Sequence, residues 1–208
     1  MKTEQRQWTA EGGWMEAKTV GISDSADLVL VFGSRALLED PAKFEEVKGF
    51  YPLANIVLVS TAGEIMEDLV YDDSLVVTAI DFEKTELRVT SMSINDATDS
   101  YDAGVQMAEK LKGEGLCHVF LLSDGLNVNG SEIVKGLNSA LDEQVPCTGG
   151  LAGDAANFEK TLVGLNETPQ ESQIVAVGFY GDSLEVGYGS VGGWDNFGAE
   201  RLVTKSEG

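Results

Sequence analysis

The sequence predicts an α/β protein of the mixed α+β kind. Two repeated β-α-β-β-β units are expected to form packed mixed sheets with helices outside, related by a pseudo-two-fold. Three observations predict this. Short apolar runs such as Leu28-Val29-Leu30-Val31-Phe32 stop at glycine or serine, as buried strands do before a turn. Stretches with helix-start signals lie between those runs. The same order of elements then returns about ninety residues later. The chain has 208 residues, 43% of them apolar, which is enough to bury a core without disulfide or metal staples.

Residues 1–26 read as an irregular N-terminal extension, with the segment around Trp8 and Trp14 lying on the core as an edge strand. Leu28 to Phe32 is the first buried strand, closed by Gly33-Ser34. Asp40-Pro41 supplies an N-cap and a proline at the first helical position. Phe44, Val47 and Tyr51 follow at helical spacing, and Pro52 lies beyond the helix end. Asn55 to Val59 is a second strand, running into Ser60-Thr61-Ala62-Gly63-Glu64. Strands are expected at about 74–82 and 85–94, joined at Glu83-Lys84. Both alternating faces of the first of these are largely apolar, so its sheet is covered on both sides.

A linking helix over about 99–112 carries Tyr101, Val105, Ala108 and Leu111 on one face, and Gly113 and Gly115 end it. Val119 to Leu122 is then a buried strand stopping at Ser123-Asp124-Gly125. A helix over 131–142 turns Ile133, Val134, Leu137 and Leu141 inward. Val145 to Thr148 leads into Gly149-Gly150-Leu151-Ala152-Gly153-Asp154. Strands at about 160–166, 173–180 and 184–191 complete the pattern. The domain therefore spans 27–192, with a first repeat at about 27–94 and a second at about 118–191. Residues 193–208 read as a linker.

The halves align at nearly constant offset. Leu30–Phe32 fall on Phe120–Leu122, and Ala62-Gly63-Glu64 on Ala152-Gly153-Asp154. Val76–Phe82 fall on Ile174–Tyr180 after a modest insertion. The period is too long for a solenoid.

Charge and cysteine content exclude several functions. Fourteen basic residues against thirty-five acidic ones leave a formal net charge of −21, which repels nucleic acid and anionic membrane surfaces. No apolar run approaches a membrane span. Cys117 and Cys147 form neither a disulfide framework nor a CxxC pair, so a reducing, cytoplasmic setting is expected.

The strongest site candidates are the two glycine loops that follow buried strands. One comprises Ser60, Thr61, Ala62, Gly63 and Glu64; the other includes Gly149, Gly150, Gly153 and Asp154. Glycine lets a backbone approach a ligand and present its N–H groups, and loops at the carboxyl ends of strands line ligand crevices. Ser123, Asp124 and Gly125 form a further candidate. The bland alternative is tight turns whose acids cap neighbouring N–H groups. Gly149 to Gly153 is not GxGxxG and no Walker lysine follows, which argues against a nucleotide.

His118 is the only histidine, so a triad or Cys–His dyad must use it. Its neighbour Cys117 points to the opposite face of a strand, which leaves Cys147 as the partner to weigh. Asp124, Asp154 and Glu64 could hold Mg²⁺ if they converge. Gly192-Gly193-Trp194-Asp195-Asn196-Phe197-Gly198 is glycine-rich with two aromatics, a lid or an anchored linker.

Taken together, several segments resemble the FIST N-terminal sensory domain over roughly residues 25–208. They are Leu28–Phe32 with Gly33-Ser34, Ser60 to Ile65, Ser123-Asp124-Gly125 and Gly150 to Asp154. Gly193 to Gly198, followed by Val203 to Gly208, completes the set. The resemblance implies a bacterial or archaeal signal-transduction module that binds a small ligand, an amino acid or related metabolite among them. It also implies a FIST C-terminal domain, which this sequence stops short of, and a signalling output protein. No cofactor is expected. Some relatives are linked to haem and nitric-oxide sensing, for which His118 would be the sole imidazole. The reading is thus a non-catalytic small-ligand sensor. The alternatives are a Mg²⁺-dependent enzyme using Asp124, Asp154 and Glu64, a haem-based gas sensor, and an interaction scaffold.

Overall fold

A computed structural model describes residues 1–142, 144–189, 198–199 and 201–205. The strands are β1 (Lys2–Thr9), β2 (Gly13–Lys18), β3 (Leu28–Gly33), β4 (Asn55–Ser60), β5 (Glu64–Met66), β6 (Leu69–Tyr71), β7 (Ser74–Asp81), β8 (Glu86–Ser93), β9 (Leu116–Ser123), β10 (Cys147–Leu151), β11 (Val163–Leu165) and β12 (Gln173–Tyr180). The helices are α1 (Arg35–Leu38), α2 (Pro41–Phe50), α3 (Ser100–Leu111) and α4 (Gly130–Ala140).

The apolar runs become inner strands of two mixed sheets. One sheet has the order β11-β4-β3-β7-β1-β2 and the other β10-β9-β12-β8, while β5 and β6 make a separate hairpin. In both large sheets the buried strand runs parallel to the one after its helix, β3 with β4 and β9 with β10. It runs antiparallel to a late strand, β7 or β12. That late strand is in turn antiparallel to β1 or β8. Four strands therefore share order and direction in the two sheets.

Three apolar clusters make the layers. Val29, Val31, Ile56, Leu58 and Val77 pack with Val47 and Tyr51 of the α2 region. Val119, Leu121, Ile174 and Ala176 pack with Met107 and Leu111 of α3 and with Ile133 and Leu137 of α4. Between the sheets, Leu28, Val57 and Val59 meet Leu122, Val175 and Val177. The helices thus lie outside two face-packed sheets, as expected. α2 uses the predicted signal, Asp40 capping on Ala42 N, and α3 is capped by Asp99 on Asp102 N. The cap of α4 is Asn129, whose side chain accepts from Ser131 N and Glu132 N, so the helix starts before Ser131. α3 and α4 touch backbone to backbone. A Cβ on Gly104 would overlap the Ile133 carbonyl oxygen, and one on Gly136 that of Tyr101.

Several expectations are corrected. β1 is an interior strand of the first sheet, not an edge, and β2 takes the edge. Its polar sequence is tolerated because Glu4 is satisfied: it accepts from Tyr51 Oη (2.9 Å), Arg6 Nη2 (2.9 Å) and Gly21 N (3.1 Å). Burial pushes the Glu4 carboxyl up, but those hydrogen bonds outweigh it and hold it below the usual range. The Tyr51 hydroxyl, driven chiefly by burial, is pushed up to about 12. β8, read as the last strand of the first repeat, pairs with β12 in the second sheet. Residues 184–189 form no strand. Leu184 packs on the inter-sheet core, but Gly187 and Gly189 bring no side chains to hold a pairing face. The expected strand at 160–166 shortens to β11. Trp194 and Phe197, which suggested a lid or linker, lie outside the described residues.

Candidate functional site

The ends of β3, β4, β9 and β10 bring the predicted loops together, and they interlock. Gly153 N donates to Ser60 O (2.8 Å), while Ser60 Oγ accepts from Leu162 N (2.8 Å). Gly125 N donates to Thr161 Oγ1 (2.9 Å), and a Cβ on Gly125 would overlap the Ala152 carbonyl oxygen. Ser123 is buried with its hydroxyl on the Asp124 carbonyl. Gly153 packs on Thr61 and Ala62.

The three acids spend their lone pairs inside the protein. Glu64, 1% exposed, accepts from Thr61 Oγ1 (2.7 Å) and from Ser74 N and Oγ (3.2 and 2.9 Å). Asp124, fully buried, accepts from the N–H groups of Leu126, Asn127 and Ser172 at 2.7, 2.8 and 2.7 Å. Burial opposes its charge, but these bonds win and hold its carboxyl below the usual range. Asp154 accepts from Glu159 N and Lys160 N at 3.1 Å each and pairs with Arg35 Nε at 3.2 Å. It too is lowered, since those partners overcome its burial. Among the described residues no three His, Cys, Asp or Glu side chains stand together as a metal site. The convergence that the Mg²⁺ alternative needs is therefore missing.

The expected alignment of Glu64 with Asp154 also slips. Thr61 N bonds Gly33 O, and Ala152 N bonds Ser123 O, at 3.0 and 2.8 Å. These bonds close the two parallel pairs in the same way, so Thr61 matches Ala152. Glu64 and Asp154 then fall one position out of step. By the same comparison Ser34 N, on Ser74 O, takes the place of Asp124 N, on Gln173 O.

His118 lies 2% exposed, with Nε2 at 2.8 Å from Thr148 Oγ1 and its ring 5.9 Å from that of Phe179. Burial lowers its pKa. Its imidazole faces Thr148 rather than Cys147, so the weighed dyad does not form. Both cysteines are free, and burial raises both thiols.

The open space is next door. A groove of about 1330 Å³ runs between α4 and the outer edge of β10. Of the predicted residues only Gly149 and Gly150 line it. Its apolar wall is Leu126, Ile133, Val134, Leu137 and Leu151, and its polar groups include Asn127, Ser131 and Thr148. Val134 and Leu151 are 47% and 50% exposed. Among the described residues no Asp, Glu, Lys, Arg or His lines the groove. Sequence reasoning placed Val134 in the core by helical periodicity. The signal for its exposure was the edge position of β10, which is a matter of topology rather than pattern.

Residues 27–208 match the model of the FIST N domain. The chain belongs to the FIST N domain family. FIST domains are a sensory and signal-transduction family, and this one is the mixed α/β sandwich described above. No curated protein matches the chain. Among the described residues, no helix of this FIST domain is long and apolar enough to cross a membrane.

Proposed function

We propose that this FIST domain is the non-catalytic receiving element of a sensor, and that a small ligand occupies the groove between α4 and β10. The observation that carries this reading is the lining. A chain with formal net charge −21 places no charged side chain in this groove among the described residues, and surrounds it with aliphatic side chains and a few uncharged polar groups. That is the make-up of ligand sites. The three candidate acids point elsewhere and are engaged by N–H and O–H donors, which favours binding over acid–base chemistry at those loops. A ligand bridging α4 and β10 would bias how this face meets a FIST C-terminal domain or an output protein.

Thermal-shift screening of small metabolites against the domain tests the reading, because a ligand that binds only the folded state raises Tm. Val134→Asp, which puts a charge on an exposed part of the wall, should abolish any such shift while leaving the unliganded Tm nearly unchanged. Shifts that survive Val134→Asp would place the ligand elsewhere and defeat the proposal.

A further inference from the structure

We infer that the ligand of this groove is a short peptide in extended conformation with uncharged side chains, added as a strand to β10. The inference rests on the groove being the ligand site, and it names the class of molecule.

The first support is the backbone. Among the described residues β10 ends its sheet, with β9 on one side only. Val119 N donates to Pro146 O (3.1 Å) at one end of this parallel pair, and Ala152 N to Ser123 O (2.8 Å) at the other. In a parallel ladder, alternate residues bond one neighbour. Pro146, Thr148, Gly150 and Ala152 therefore serve β9, and the N–H and C=O groups of Cys147, Gly149 and Leu151 fall on the open side. Those three residues all line the groove. A second hollow of about 640 Å³ continues it past Val145 and Pro146, so open space follows the whole edge.

The second support is internal precedent. In the first sheet the corresponding outer strand is β4. There the chain supplies its own cover: β11 pairs antiparallel, Val163 on Val59, Gly164 on Leu58 and Leu165 on Val57. A three-residue strand is thus sufficient to close such an edge beneath a helix in this fold. At β10 no strand takes that place among the described residues; the chain's own Tyr188 and Gly189 border the groove without pairing as a strand.

The third support is charge. A free amino acid is a zwitterion, and each of its charges needs a partner once it leaves water. Among the described residues the groove beside β10 offers no charged side chain; Asp142 lines only the second hollow, where it would answer the ammonium and leave the carboxylate to neutral groups. A peptide interior has only amide groups, which the edge can bond, and alternate side chains that would lie against Val134, Leu137 and Leu151.

The experiment is calorimetry and amide hydrogen exchange on the whole chain with acetyl-Val-Thr-Val-Thr-Val-amide. Binding is expected, with exchange at Gly149 and Leu151 slowed at least about tenfold by the new hydrogen bonds. Methylating alternate peptide nitrogens should weaken binding by about tenfold or more, and free valine should not bind. Equal binding of the methylated peptide overturns the inference. So does slow exchange at Gly149 and Leu151 before peptide is added, because the edge would then already be covered, by a second copy or by the chain itself. If a non-peptide metabolite protects the groove while the peptide does not bind, the ligand-site reading stands and the peptide class falls. If nothing that binds is sensitive to Val134→Asp, both fall.

Discussion

The outer edges of the two sheets are built alike and finished differently. β4 and β10 each run parallel to a buried strand and each lies beneath helices. The chain folds back over β4 with Leu162 and β11, and Leu162 becomes 1% exposed in the helix-side core. Over β10 it lays no strand among the described residues, only Tyr188 and Gly189 at the groove's border, and Leu151 stays half exposed. Edges are normally covered or blunted because a free row of N–H and C=O groups invites pairing. The difference is that the first sheet closes its edge with its own chain, whereas the second leaves β10 without a partner strand among the described residues.

The largest expected effect comes from the geometry that keeps the β10 edge in place. Gly149 has φ +150°, and a Cβ there would overlap the backbone carbonyl of Leu121, which cannot move aside. Gly149→Ala should cost about 3 kcal/mol, read as a lowered urea midpoint. Gly150, its neighbour, has nothing within 4 Å of a built Cβ, so Gly150→Ala should stay within about 0.5 kcal/mol. Equal costs would show that β10 relaxes as a whole and is not a fixed template.

The covered edge gives the next test. Leu162→Ala removes a fully packed side chain and should destabilise by about 3 kcal/mol at most sites of this kind, less where the core collapses. A negligible change in the denaturation midpoint would mean that β11 is not what closes the first sheet.

A smaller effect separates Asp124 from its counterpart Ser34. Asp124 holds three backbone N–H groups, whereas Ser34 Oγ is buried without a partner among the described residues. Asp124→Asn should cost about 2 kcal/mol at pH 7, and Ser34→Ala close to nothing. The pH dependence follows from the sign of the shift. The folded Asp124 carboxyl titrates below its unfolded value of about 3.9, so its stabilisation is present above that pH. It is lost as pH falls through the lower folded value. Denaturation at pH 7 and pH 3 should therefore show the Asn penalty shrinking in acid. A constant penalty would mean the loss is steric and not carried by the charge.

How much of this was legible in the residues follows from which forces are local. β3, β4, β9 and β12 announce themselves because strands buried on both faces are continuous apolar runs. Asp40 and Pro41 mark a helix start because capping acts over two or three residues. β1 was misread because KTEQRQWT is polar, and its burial depends on Glu4 meeting Tyr51, far away in the chain. The loops at Ser60–Glu64 and Gly149–Asp154 were found by glycine and turn chemistry, and the fold does bring them together. The bonding of their acids was not legible, because a sequence shows a carboxylate but not the N–H and O–H groups it accepts from. The groove was half seen, through Gly149 and Gly150. Its other wall depends on where α4 overhangs the last strand.

The smallest effect on stability is the one that bears most on function. Leu151 is half exposed at an edge that no strand covers among the described residues. Leu151→Ala should therefore change the unliganded Tm little, within about 0.5 kcal/mol. Ligand affinity should nevertheless fall about tenfold, because a bound strand would bury that side chain and its loss removes about 1.4 kcal/mol of apolar contact. Leu162→Ala should do the reverse, lowering Tm while leaving the affinity of the folded domain unchanged. If Leu151→Ala instead destabilises the free protein as much as Leu162→Ala does, something covers β10 in solution. The two edges would then be finished alike, and the second sheet would have no vacancy for a ligand to read.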